Sequence, residues 1–199
     1  TPEIEMDLCG HATLATAYCL KKHMNFNNDL VKFDSMSGEL IVEFNGEYMQ
    51  MDFPHRKPIK SDLPENIMNS LSIKPVEILK SRDYVLVYEN EDQIKNIQID
   101  KNLFDKKNID PGGVVITAKG QKSDFVSRYF VPQCSFFEDP VTGSTHCSLV
   151  PYWSERLNKM KLKSIQLSER GGEMHCIDKG DRVLINGKAK TYSKGEVFL

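Results

Sequence analysis

An α+β fold built from two similar halves is the fold class that this sequence predicts. A helix rich in small and apolar residues begins at Gly10, and a second begins near Ser144. Each helix follows an extended segment and lies among several short strand-like segments separated by turn residues. A sheet wrapped around one central helix in each half would bury the apolar surface of both helices.

The predicted boundary between the two halves lies near residues 80–82, where charged residues precede a strongly apolar segment. We therefore expect a first domain over residues 1–81 and a second domain over residues 82–199. A return of the last strand to the first domain is left open, since neighbouring units often share an edge strand.

The first half contains one helix and several strands. Alternating polar and apolar residues predict a strand over residues 3–8, and residues 10–23 form a helical pattern that is apolar on nearly every side, which is typical of a buried helix. Strands are expected over residues 30–34, 40–44 and 48–53, with turns at Ser37-Gly38 and Asn45-Gly46. A short helix is expected over residues 65–71, whereas His55 and Arg56 are interpreted as solvated loop residues.

The second half has strands on both sides of its helix. Residues 84–88, 114–118 and 124–131 are predicted strands, and residues 91–107 are charged and weakly helical. The helix is expected over residues 144–157 with Pro151 inside it. A meander then follows over residues 165–168, 173–177, 182–185, 189–192 and 196–198, with glycine-containing turns at 171–172, 179–181, 186–187 and 194–195.

The charge balance excludes some classes of partner. A formal net charge of -2 gives no basic patch for nucleic acid or for an anionic membrane surface. Charge interrupts every apolar run well before the length of a membrane span. We therefore expect no nucleic acid and no membrane as partners, and a small polar molecule as the ligand.

The five cysteines are scattered, and none forms a Cys-x-x-Cys pair. Neither a zinc site nor a disulfide framework is therefore expected, and a reducing, cytoplasmic location is the simpler interpretation.

The candidate site lies at the two helix starts. Asp139 is followed by Thr142, Gly143 and Ser144, which can open a helix and offer free backbone N–H groups to an anion. The competing interpretation is that Asp139 simply caps the helix. Because Gly10-His11 repeats this arrangement near the start of the chain, we expect the two helix starts to converge and to gather His11, Asp139 and Ser144 around one ligand.

Three sequence strings carry a resemblance to a known family. They are Cys9-Gly10-His11-Ala12-Thr13, the segment from Asp139 to Cys147, and the segment from Gln166 to Glu173. Together they resemble the PhzF-like isomerases of phenazine biosynthesis, which share the fold of diaminopimelate epimerase. The resemblance implies two pseudo-symmetric domains, each a barrel-like sheet closed on a central helix, with the active site between them. The first domain would be incomplete here.

The resemblance also implies a reaction. The family isomerises a small carboxylated metabolite by acid/base proton transfer and uses no cofactor. Its motifs fall on Asp139, His11 and Ser144 as catalytic residues and on Gly10, Thr142 and Gly143 as substrate-binding residues. The substrate itself is not specified by the resemblance, and phenazine synthesis is not implied.

One family feature has no counterpart in the sequence. The family's second catalytic carboxylate is a glutamate in an Asn-Leu-Ser-Glu-Thr-like segment upstream of the Gly-His motif, and no such segment occurs among these residues. We expect that glutamate to belong to an N-terminal part absent from this chain, which would leave little isomerase activity. The rival hypothesis is a non-catalytic module that binds small anions. A homodimer is a further expectation, because missing strands would leave sheet edges for a partner to cover.

Two other chemistries are weighed and set aside. A racemase with two opposed thiols would use Cys9, but the equivalent position in the second half is Thr142, so Cys9 is interpreted as a small core residue. A metal-dependent hydrolase would draw on His11, His146 and Cys147, whose spacing matches no zinc pattern. No metal is expected, and Gly171-Gly172 is interpreted as a turn beside the cleft.

Overall fold

One large sheet organises the fold. The computed structural model describes residues 6–109 and 112–196, and within that part of the chain twelve strands belong to a single sheet. The strand order is β1-β2-β3-β12-β11-β10-β8-β7-β6-β5-β4, with β9 paired to β8 outside this path. The predicted α+β class is confirmed.

The first strands form two consecutive hairpins, as their turn residues predict. The strands are β1 (Leu30–Ser35), β2 (Gly38–Asn45) and β3 (Tyr48–Pro54). Asn45 pairs with Tyr48, which leaves a tight turn in which Gly46 has a φ of +64°. A positive φ is accessible to glycine at little cost, so this position explains the hairpin signal.

The remaining strands continue the same sheet. They are β4 (Ile59–Lys60), β5 (Glu77–Lys80), β6 (Tyr84–Val87), β7 (Val114–Lys119), β8 (Phe125–Phe130), β9 (Glu138–Asp139), β10 (Lys161–Gln166), β11 (Gly172–Asp178) and β12 (Arg182–Gly187). The pairs β6–β7 and β8–β10 are parallel, and the other pairs are antiparallel.

Strand β12 joins the two halves. It pairs antiparallel with β3 on one side and with β11 on the other. The sheet therefore runs without a break across the boundary predicted at residues 81 and 82. The division into two domains, and the closure of each half into an incomplete barrel, stay predictions.

Several strand predictions are wrong. Residues 189–192 form no strand, and Asn186-Gly187 is paired within β12 instead of forming a turn. Both errors arise because local alternation and turn chemistry do not show whether a segment has a neighbour to pair with. Strands β4 and β5 were not predicted. Of the strand expected over residues 3–8, residues 6–8 are not in a strand and the rest lie outside the described residues, as does most of the segment expected over 196–198.

The first helix is less buried than predicted. Helix α1 (Gly10–His23) ends where the sequence indicates, but only Gly10 and Ala17 along it are buried. Ala12, Ala15 and Cys19 are exposed. The expectation of a fully buried helix is wrong for the described residues, because β2 and β3 cover α1 on one side only.

The second long helix is buried as predicted. Helix α5 (His146–Leu157) contains Pro151 and begins two residues later than the sequence suggests. The Trp153 indole donates a hydrogen bond to the Thr117 hydroxyl at 2.9 Å, and its ring stacks on Phe125 with 5.9 Å between centroids. These contacts fix α5 against β7 and β8.

Three short helices complete the described structure: α2 (Glu65–Ser70), α3 (Glu91–Asn96) and α4 (Lys101–Phe104). They cover the second of two hydrophobic cores, whereas α1 and α5 contribute to the first. Among the described residues, no helix has the length and apolar character needed to cross a bilayer.

Candidate functional site

The starts of α1 and α5 meet backbone to backbone. A methyl group added at Gly10 would lie 3.3 Å from the Cα atom of Gly143 and 3.3 Å from the Phe53 ring. The reverse substitution would place a methyl group at Gly143 3.5 Å from the Cα atom of Gly10. The predicted convergence of the two helix starts is confirmed, and glycine at both positions permits it.

Free backbone N–H groups line this junction. Among the described residues, none accepts a hydrogen bond from the N–H groups of Gly10 and His11, or from those of Gly143, Ser144 and Thr145. The segment before α5 is a tight turn, closed by the His146 N–H donating to the Gly143 carbonyl at 3.1 Å. Because helix starts carry partial positive charge, two of them that lie close together favour an anion beside them.

Asp139 is held beside the junction by a neighbouring hydroxyl. It lies in β9, half-buried, and its Oδ2 atom accepts a hydrogen bond from Thr142 Oγ1 at 2.6 Å. It accepts no hydrogen bond from the backbone N–H groups of α5, whose N-cap residue is Thr145. The interpretation of Asp139 as a helix cap is therefore wrong.

Gln166 fixes the loop that carries Asp139. Its side chain is buried at the end of β10, where Oε1 accepts from the Thr142 N–H at 2.8 Å. Its Nε2 atom donates to the Asp139 carbonyl at 2.6 Å and to Thr142 Oγ1 at 3.2 Å. One amide side chain thus holds both ends of the segment from Asp139 to Thr142.

His146 completes the support of Thr142 from within α5. It is fully buried, and its Nδ1–H donates to the Thr142 carbonyl at 3.0 Å while Nε2 accepts from the Ser164 hydroxyl at 2.8 Å. The carbonyl can only accept, so this pair of contacts fixes the neutral Nδ1–H tautomer. Burial lowers the pKa of His146 to about 4, which keeps the ring neutral.

The turn predicted at residues 171–172 lies slightly earlier in the chain, because Gly171, with a φ of +71°, ends the turn between β10 and β11 and Gly172 already belongs to β11. Ser168 Oγ donates to the Pro140 carbonyl at 2.7 Å and accepts from the Gly171 N–H at 3.1 Å. A methyl group at Gly172 would lie 2.7 Å from a methyl carbon of Val141. This turn therefore packs directly against the segment that follows Asp139.

The other side of the junction carries a thiol and an imidazole. Cys9 is half-buried, and its Sγ atom lies 3.6 Å from Nε2 and 3.7 Å from Nδ1 of the exposed His11 ring. The hydrogen bond with His11 lowers the pKa of Cys9, and the Ala12 N–H contributes to the same effect. Cys9 is therefore a polar partner of His11, and its interpretation as a core residue is wrong.

The pKa of His11 is raised. The hydrogen bond with Cys9 is the main cause, and the negative charge of Asp139 adds to it, whereas burial opposes the shift. The charge of Asp139 reaches His11 across the junction, so the imidazole and the carboxylate share one electrostatic environment.

The described structure thus brings together Gly10, His11, Asp139, Thr142, Gly143 and Ser144. Thr142 is buried and its N–H, carbonyl and hydroxyl groups all contact protein atoms. No role was predicted for Gln166, although it is the first residue of one of the three segments that carry the family resemblance. Among the described residues, no group of three or more potential metal ligands is present.

Comparison with known proteins identifies relatives along the whole chain. A family described as phenazine biosynthesis-like protein matches residues 1–195. An uncharacterized isomerase of Pseudomonas aeruginosa is 42% identical over 199 residues, covering 100% of this chain and 76% of the relative. A human phenazine biosynthesis-like domain-containing protein is 33% identical over 214 residues, covering 98% of this chain and 74% of the relative.

Solved structures agree with these relatives. A PhzF family protein of Enterococcus faecalis has a TM-score of 0.89 at 41% identity, covering 100% of this chain and 76% of that one. A probable proline racemase of Agrobacterium radiobacter has a TM-score of 0.62 at 11% identity and covers 100% of this chain and 70% of that one, which is a likeness of fold alone. The names of the relatives support an isomerase role. Because the family matches residues 1–195 of this chain, the chain belongs to the PhzF-like family of phenazine biosynthesis-like proteins.

Proposed function

We propose that this protein isomerises a small carboxylated metabolite by transferring a proton between carbon positions, without a cofactor. The observation that carries the proposal is the Gly10–Gly143 junction. Two helix starts meet there beside Asp139, and no residue that the structure describes accepts a hydrogen bond from their N–H groups. These N–H groups suit the carboxylate of a substrate, and Asp139 suits the proton transfer.

The proposed reaction begins with removal of a proton from a carbon atom near the substrate's carboxylate. Asp139 accepts this proton, and the electron pair of the broken C–H bond delocalises toward the carboxylate. The N–H groups of Gly143 and Ser144 stabilise the negative charge that develops there, because they are fixed in place before the reaction. Return of the proton at a different position of the same molecule completes the isomerisation.

His11 is the proposed second acid/base group of the described cleft. Its raised pKa increases the protonated fraction near neutral pH, and a protonated ring can donate to the intermediate. Ser144 is buried at the start of the turn that precedes α5, and we assign it a hydrogen bond to the same substrate group.

The second candidate function is a non-catalytic module that binds small anions. The backbone N–H groups favour this alternative, because an anion could occupy them with no proton transfer at all.

Proton exchange in deuterated water tests the proposal. The protein is incubated with a panel of small carboxylates, and deuterium incorporation is followed by NMR. We expect Asp139→Asn to slow exchange by on the order of 100-fold or more, the range of general acid/base catalysis. The matched control is Glu138→Gln, since the neighbouring Glu138 side chain pairs with Arg128 instead, at 2.8 Å.

Equal exchange in wild type and Asp139→Asn would reject Asp139 as an acid/base group. Carboxylates that shift the Gly143 amide resonance without any exchange in the wild-type protein would identify the anion-binding module instead.

A further inference from the structure

A cluster of charged side chains lies behind the segment that carries His11. Asp7 precedes Cys9 by two residues, and its Oδ2 atom accepts hydrogen bonds from Arg56 at 2.7 Å and from the Ser37 hydroxyl at 2.8 Å. Its Oδ1 atom lies 3.2 Å from Nε of Arg82, whose side chain is only 7% exposed. The prediction that Arg56 is a solvated loop residue is therefore wrong.

The cluster continues toward the strands that carry Asp139. Asp83 follows Arg82 in the chain and is buried, and its Oδ1 atom accepts from the Gly113 N–H and from the Tyr129 hydroxyl, both at 2.9 Å. Tyr129 lies in β8 directly opposite Asp139 of β9. The charges thus reach from the segment before α1 to the strand pair that holds the carboxylate.

The backbone of Arg56 contacts the first turn of α5. Its main-chain N–H donates to the Cys147 carbonyl at 2.8 Å. Burial raises the pKa of the Cys147 thiol to about 12, and smaller effects of the charges of Arg56, Asp83, Arg82 and Asp7 act on that pKa in both directions. Arg56, which binds Asp7 through its side chain, therefore also contacts α5 through its main chain.

Asp7 and Arg82 remain charged. Burial alone would raise the pKa of Asp7, but hydrogen bonds from Arg56 and Ser37 and the charge of Arg82 lower it. Burial alone would lower the pKa of Arg82, but the charges of Asp83 and Asp7 help to raise it. A buried ion network contributes little to stability compared with apolar side chains of the same volume. Its directional contacts, which orient the segments that it joins, therefore explain better why charged residues occur here.

We propose that Asp7, Arg82 and Asp83 are positioning residues that set the separation between His11 and Asp139. The network holds the His11 segment from Asp7 and the Asp139 strand pair from Tyr129, so the loss of one contact lets the two sides shift relative to each other. The consequence for catalysis rests on the proposed function, whereas the geometric claim does not.

An NMR titration of the His11 ring tests the geometric claim without a substrate. Asp7→Asn and Asp83→Asn keep the size of each side chain and remove its charge. We expect the pKa of His11 to fall toward the ordinary histidine value in both variants, as it does in Asp139→Asn, because the contribution of Asp139 weakens with distance. The His11→Gln variant identifies the resonance.

The matched control is Asp52→Asn. Asp52 forms an equally direct pair with Arg182, with Oδ1 to Nε at 2.6 Å, but this pair joins β3 to β12. We expect it to leave the His11 titration unchanged. An unchanged titration in Asp7→Asn and Asp83→Asn, or an equal shift in Asp52→Asn, would overturn the proposal.

Two further measurements keep the outcome interpretable. Arg82→Lys retains the charge and is expected to show a smaller change than Asp7→Asn, which covers the case of an Asp7 variant that does not fold. Once a carboxylate that undergoes exchange has been identified, its exchange rate constant should fall on the order of 10-fold in Asp83→Asn while KM is unchanged. The reason is that the orientation of His11 and Asp139 is lost, whereas the N–H groups that bind the carboxylate remain. Absence of exchange in every protein would reject the proposed function and leave the titration to decide the positioning role.

Discussion

The starts of α1 and α5 meet at one point, yet they are built in opposite ways. At α5, Thr142, Ser144 and His146 are buried, and every polar group of Thr142 has a protein partner. At α1, Cys9 is half-buried and His11 is exposed, and the two side chains contact each other.

This difference separates two tasks. The α5 side holds a carboxylate in a fixed orientation through neutral hydrogen bonds that do not change near neutral pH. The α1 side carries two titratable groups whose pKa values are shifted toward neutral pH, since that of His11 is raised and that of Cys9 is lowered. Preorganisation on one side and titration on the other is what a proton-transfer site requires.

The largest effect is expected from Gln166→Leu, which removes the support of the α5 side. The change leaves the Thr142 N–H and the Asp139 carbonyl without their partner, at a cost of about 1–3 kcal/mol for each buried group. We expect the free energy of unfolding, measured in urea, to fall by about 4 kcal/mol in total. Gln50→Leu is the control, since Gln50 contacts Asn186 between two strands, and an equal loss there would deny Gln166 a special role.

A loss of stability in mild acid is the next largest expected effect. Burial lowers the pKa of His146 from its ordinary value of 6.5 to about 4, so the unfolded chain binds a proton in this window that the folded chain does not. The stability from neutral His146 is therefore present above pH 6.5 and is lost as the pH falls toward 4. The total amounts to about 3 kcal/mol.

Urea unfolding at several pH values between 4 and 7 measures this loss. In His146→Gln the slope over the same window should largely disappear, because the side chain no longer titrates. A slope that persists in His146→Gln would show that another group is responsible.

A smaller effect is expected from a methyl group placed between the two helix starts. A methyl group at Gly10 would meet Gly143 and Phe53 at 3.3 Å, which is tighter than ordinary contact, so the helix starts must separate slightly. We expect Gly10→Ala to cost about 1 kcal/mol in thermal unfolding and to weaken carboxylate binding. Gly143→Ala, with its nearest contact at 3.5 Å, should change both quantities less. The reverse order would contradict the described junction.

The smallest effect concerns the reactivity of the α1 side. Because His11 lowers the pKa of Cys9, the thiolate fraction at pH 7 should fall in His11→Gln, and alkylation of Cys9 by iodoacetamide should slow on the order of 3-fold. Mass spectrometry of the labelled peptides separates Cys9 from the exposed Cys19, which serves as the internal control. An unchanged Cys9 rate would show that the thiol and the imidazole are independent.

Sequence reasoning predicts the parts of the fold that short-range chemistry determines. Asn45-Gly46 specifies a hairpin because the turn needs a positive φ, and the apolar anchors of α5 specify its buried face. The same reasoning missed β5, where Glu77 and Lys80 flank only two apolar residues. It overestimated the burial of α1, because burial depends on which strands lie against a helix.

The candidate site follows the same division. The glycine and acid/base residues at the two helix starts were predicted, since helix starts and their motifs are contiguous in sequence. Gln166 and Asp7 were not, because each acts on a residue that is near it only after folding, such as Asp139 or Arg82. Contacts between residues that are distant in sequence leave no local sequence pattern from which they could be predicted.

The insertion of β12 between β3 and β11 also constrains how the protein is made. Met49 of β3 pairs with Gly187 of β12, so β3 lacks this neighbour until residue 187 has been synthesised. Pairing between such distant positions makes folding slow. The edge of β3 should therefore stay open to incorrect pairing until β12 has been made.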